Sequence, residues 1–166
     1  DEIYGWHNMP GFPVGSVAVH TGVAACASRG LMLRFTGKNS HASQPENGKN
    51  PAFAVASFIS GIPSAVLDAA GEGARELVPG SVMGKNGIVM CTVVGAEIGS
   101  REKGGTEAFG TSAGFACVML TLRAEDESRL DALHTILTEN AETLAEKHGL
   151  ATAFEVREPF PETRND

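Results

Sequence analysis

FACVMLTLRAEDESRLDALHTILTENAETLAEKHG, residues 115–149, is the stretch that decides the fold. Ala116, Val118, Leu120 and Leu122 alternate with Cys117, Met119, Thr121 and Arg123, the period of a strand with one buried face. An acidic turn follows at Glu125, Asp126 and Glu127, and then Leu130, Leu133, Leu137, Ala141, Leu144 and His148 recur at steps of three and four. That is the period of a helix with one apolar stripe. Lys147, His148 and the terminating Gly149 suit the carboxyl end of its dipole. A one-faced strand feeding a one-striped helix predicts a layered α+β core.

Upstream, Arg29 to Thr36 alternates with Leu31, Leu33 and Phe35 on one face, a second half-buried strand. Asn50-Pro51 predicts a helix start, because Asn caps orphan amides and Pro fits the first turn. Phe53, Ala54, Ser57, Phe58 and Gly61 share a face of that helix, which Pro63 is expected to end or kink. The Gly- and Ala-rich stretch 69–73 leads through Pro79-Gly80 to a β-branched run at 87–94, read as a central strand. A polar, glycine-rich connection spans 95–114, and a last strand is expected from Ala151 to Arg157. The order β-α-β-β-α-β predicts a ferredoxin-like, four-stranded antiparallel sheet with two helices on one face. Residues 1–28 fall outside this unit and hold a short strand candidate at Ser16 to His20.

A chain of 166 residues can bury one substantial core. Its net charge of -7 disfavours nucleic acid or an anionic membrane as main partner, since both reward clustered Lys and Arg. Cys26, Cys91 and Cys117 are odd in number and widely spaced among apolar residues, so they read as buried free thiols in a reducing cytoplasm. No apolar run of membrane-spanning length and no signal-peptide pattern is expected. The missing initiating Met fits either a removed tag or a piece of a longer protein.

Two histidines carry candidate chemistry. His7, in Tyr4-Gly5-Trp6-His7-Asn8-Met9-Pro10, can be a metal ligand at a strand end or a histidine satisfied by a turn carbonyl. His41 lies in a polar loop of roughly fourteen residues, long enough to suggest function. There it can donate a hydrogen bond to a developing oxyanion, or simply face solvent. His134 and His148 follow the helical pattern as packing or dipole partners, and His20 is uninformative. Arg123, ending a strand on its polar face, can fork onto a substrate carboxylate or be an ordinary surface arginine. The glycines at 104, 105, 110 and 114 precede no Gly-Lys-Ser/Thr, which rejects a phosphate loop.

Residues 3–15, IYGWHNMPGFPVG, then Gly37 to Pro45 around His41, Asn50-Pro51, and Pro161-Glu162-Thr163-Arg164-Asn165-Asp166 together resemble the metal-dependent aminoacylase and carboxypeptidase family. The similarity is to the branch of hippurate hydrolase and the hydrolases of N-acyl and indoleacetyl amino acids. In that family a catalytic domain holding one or two metal ions, usually zinc, is interrupted by a ferredoxin-like lid that also forms the dimer. The resemblance implies that residues 29–158 are the lid. Residues 1–28 would be the strand and linker leaving the first half of the catalytic domain, and residues 159–166 the start of the return to it. It implies that His7 is a metal ligand and that His41 reaches the partner subunit's active site and polarises the scissile carbonyl. The family's other ligands have no counterpart here, so the expectation is a fragment without catalysis or bound metal of its own. Where the family has an Asn-Val-Ile-Pro turn, this sequence reads Ala108-Phe109-Gly110-Thr111-Ser112-Ala113. Thr111 and Ser112 become the candidates to replace the missing substrate-binding amide.

Two functions compete at this stage. One is the lid and dimerisation region of a zinc amidohydrolase acting on N-acyl amino acids or short peptides, as a homodimer. The other is a free-standing ferredoxin-like module that binds a small ligand or a protein, with no chemistry at His7 or His41.

Overall fold

The computed structural model describes residues 5, 8, 10–19, 21–85, 87–99 and 109–165. Among the described residues, eight strands and two long helices follow in the order β1 (Gly22–Ala25), β2 (Ala27–Thr36), α1 (Ala52–Ala70), β3 (Arg75–Val78), β4 (Ser81–Gly84), β5 (Gly87–Ile98), β6 (Phe115–Ala124), α2 (Glu127–His148), β7 (Ala151–Phe160) and β8 (Thr163–Asn165). A short 3-10 turn, Pro45–Asn47, lies inside the loop after β2.

The α+β class holds, but the sheet has six strands, ordered β3-β4-β5-β6-β2-β7, where the sequence predicted four. All its pairs are antiparallel. The two added strands form a hairpin beside β5 from residues read as connection. Each is four residues long, and Arg75-Glu76 breaks any apolar alternation. Within the two strands themselves only Val82 is buried. The strand candidate at 16–20 also fails: residues 16–19 are irregular, and the pairing segment is β1, which joins β8 in a separate two-stranded ribbon.

One sheet face carries the core. Leu31, Leu33 and Phe35 of β2 stand beside Ala116, Val118, Leu120 and Leu122 of β6, all at 1% exposure or less. They meet Ala54, Val55, Phe58, Ile62, Ala65 and Val66 of α1 and Leu130, Leu133, Leu137, Ala141 and Ala145 of α2. A fully buried Leu or Phe contributes about 1.5–3 kcal/mol, so these rows dominate stability. The Phe35 and Phe58 rings, 6.2 Å apart and tilted by 58°, tie β2 to α1.

Helix α2 begins as its acidic turn predicts, with Asp126 accepting from the Arg129 amide, and ends at left-handed Gly149. Helix α1 differs from expectation in three ways. It runs through Pro63 to Ala70, and its buried face excludes Phe53 and Ser57, which are exposed. By length and composition it is also apolar enough to cross a membrane, contrary to the sequence reading. In this fold that apolar face packs on the sheet. Asn50 does accept from the Ala52 amide at 2.9 Å, as a capping residue should.

Candidate functional site

The loop leaving β2 is stitched to the segment before β6. Gly37 donates to the Gly114 carbonyl at 2.8 Å, and Lys38 and Lys49 exchange two backbone bonds that close the loop's neck. His41 then sits opposite Thr111: Ala42 donates to Gly110 and Ser112 donates to Ser40, both at 2.9 Å. Ser112 adds side-chain bonds, its Oγ lying 3.1 Å from the Ser40 amide and 2.9 Å from Ser40 Oγ. Asn39 Nδ2 donates to the Ser112 carbonyl at 2.9 Å. A Cβ on Gly114 would come within 2.7 Å of the Asn39 amide, and one on Gly37 would strike the Lys49 carbonyl. These approaches require glycine for space.

On this braced loop the His41 side chain is exposed. Its Nδ1 lies 2.7 Å from Ser43 Oγ and accepts from the Ser43 amide at 3.2 Å. Among the described residues Nε2 has no partner. The ring can therefore address something outside this chain.

The structure brings Thr111 and Ser112 to His41 but leaves Arg123 at the other end of β6, roughly 25 Å away by the strand rise. Thr111 is exposed, whereas the Ser112 hydroxyl is engaged with Ser40. Arg123 instead lines an open cavity of about 530 Å³ with Cys26, Ser28, Gly30, Thr121, Glu158 and Phe160. Burial raises the Cys26 thiol there, Glu125 adds to the rise and Arg123 opposes it. His7 lies outside the described residues. No three His, Cys, Asp or Glu side chains converge among the described residues, which on their own do not make a metal site.

All three cysteines are unbridged, but only Cys91 is buried, its thiol pushed up to about 12 by desolvation; Cys26 and Cys117 are half-buried. Below the sheet, Arg29 of β2 reaches α2, binding Asp131 at 2.6 Å and lying 3.3 Å from His134 Nδ1. Burial, then the Arg29 charge, lowers the His134 pKa against a smaller opposing pull from Asp131. On the opposite face Arg34 bonds Glu155 at 2.9 Å, holding that carboxyl below its usual range.

Sequence reasoning missed the bracing role of Asn39, Ser40 and Gly114, and the Ser43 contact. Ser43, two residues after His41, had a local signal, since a hydroxyl at that spacing can fold back onto a side chain. The Ser40–Ser112 pair, 72 residues apart, had none.

Among curated proteins, the N-acetyldiaminopimelate deacetylase of Oenococcus oeni is 35% identical over 66 residues, 40% of this chain and 17% of that protein. The N-acetylcysteine deacetylase of Bacillus subtilis is 36% identical over 64 residues, 39% and 17% of the two chains. The matched stretch thus spans under a fifth of either relative. Two solved structures share the fold. The aminobenzoyl-glutamate utilization protein of Klebsiella pneumoniae has a TM-score of 0.66 at 16% identity over 94% of this chain and 34% of its own. A hydantoinase/carbamoylase family amidase of Burkholderia ambifaria has a TM-score of 0.66 at 22% identity over 87% and 30%. The family model described as the peptidase dimerisation domain of the M20 group matches residues 22–149, from β1 through α2, and this chain belongs to that family.

Proposed function

We propose that this chain is the lid and dimerisation region of a metal-dependent amidohydrolase that cleaves the amide of N-acyl amino acids or short peptides, with His41 donating to the oxyanion in the partner subunit's active site. The observation that carries the trans assignment is a separation. The ribbon of β1 and β8, where a catalytic domain would attach on this reading, lies at the Ala27 end of β2, whereas the His41 loop leaves its Thr36 end. Ten strand residues put roughly 30 Å between them, which favours a second subunit as the target.

The arrangement suits electrostatic stabilisation. An N–H held by a braced loop meets the charge developing on a carbonyl oxygen without first reorganising, and such donors are worth about 10²–10³ in kcat. The relatives' names specify N-acetyl amino acids, which supports the N-acyl class. Zinc, with His7 among its ligands, belongs to the catalytic domain that this lid would serve; the described residues do not fit a metal. The trans role would require a homodimer, and membership of a dimerisation-domain family supports that reading. The three unbridged thiols support a cytoplasmic location, which labelling of free thiols in intact cells would test.

In the whole protein carrying this segment, His41→Ala should lower kcat about 10²–10³-fold while metal content stays at the wild-type level. Unchanged turnover would remove His41 from the mechanism.

A further inference from the structure

The pair of contacts at one nitrogen of His41 says more than that the loop is orderly. The Ser43 amide carries a hydrogen and no available lone pair, so it can only donate, and it points at Nδ1. A neutral imidazole has one acceptor nitrogen and one N–H nitrogen; if Nδ1 accepts, the proton is on Nε2. The Ser43 hydroxyl, 2.7 Å from the same nitrogen, can donate as well and adds the shorter of the two bonds.

We propose that Ser43 is a positioning residue that fixes both the ring orientation and the tautomer of His41, presenting Nε2–H outward as a hydrogen-bond donor. This rests on the reading of His41 as the oxyanion donor and deepens it. With its proton already on Nε2, the neutral ring has no lone pair on the outward nitrogen, so His41 is built to donate and not to act as a general base. The backbone bonds of Ala42 to Gly110 and of Ser112 to Ser40 hold the loop, and Ser43 holds the ring within it.

The test is ¹⁵N NMR of the 166-residue chain labelled at histidine, in which the two ring nitrogens report tautomer directly. At a pH where His41 is neutral, its spectrum should show one form, with Nδ1 unprotonated and Nε2 bearing the proton. Ser43→Ala keeps the amide donor and loses the shorter hydroxyl bond, so it should move both resonances part of the way toward the values of a solution mixture, and Ser43→Thr, which keeps both donors, should stay at the wild-type values. A ring protonated on Nδ1, a solution mixture in the wild type, or identical spectra for wild type and Ser43→Ala would each overturn the proposal. The readout is independent of turnover. If His41→Ala leaves the whole enzyme active while the ring shows the fixed tautomer, the functional reading fails and the positioning role stands; an essential His41 with a mixed tautomer reverses that outcome.

Discussion

Ser43 and Gly114 act on His41 at different distances, one at the ring and the other at the backbone behind it. Gly114→Ala places a methyl within 2.7 Å of the Asn39 amide, so either the loop or the start of β6 must move. Such overpacking typically costs about 1–3 kcal/mol. Urea denaturation should show a loss in that range, with loop amides from 38 to 42 shifting in the NMR spectrum. His134 makes a separate prediction. Its folded pKa lies below the ordinary 6.5, so the unfolded chain binds more protons in the window below that value. The contribution is intact above about pH 6.5 and is lost as pH falls through the lower folded value. Melting temperature should therefore drop more for the wild type than for His134→Gln between about pH 7.5 and pH 5.5. Equal drops would show that the Arg29–Asp131–His134 cluster does not carry the acid sensitivity.

Among the elements, α1 tests how a helix outlasts its own breaker. Pro63 has no N–H for the preceding turn, yet Ile62, Ala65 and Val66 are buried on either side of it and hold the helix together. Pro63→Ala should restore that bond and raise stability by about 1–3 kcal/mol, the interior-proline cost reduced by the added freedom of the unfolded chain. An unchanged or lower urea midpoint would mean that Pro63 packs better than it blocks. Elements with a long single period, β2, β6 and α2, were legible in the sequence because burial of one face leaves a repeating pattern. The β3–β4 hairpin was not, since four-residue edge strands with Arg75 and Glu76 exposed leave no pattern to read. The same limit governs the site. His41 was legible as a loop histidine, but its pairing with Thr111 depends on two segments meeting across the sheet end, and nothing near either one encodes the other.

At the scale of the whole molecule, the two ends of the sheet carry different features. Its Ala27 and Ala124 end bears the β1–β8 ribbon and the Arg123 cavity, and its Thr36 and Phe115 end bears His41. A domain attached at the first end is poorly placed to receive a side chain from the second, whereas a two-fold partner can present its own. The most direct test mixes two variants of the whole protein, His41→Ala and His7→Ala, each inactive by itself under this account, and lets subunits exchange. Action in trans leaves one site per mixed dimer intact, the one that keeps its own His7 and receives the partner's wild-type His41. Random exchange should then restore about a quarter of wild-type activity. Full exchange with no recovery would contradict the account and return His41 to its own subunit.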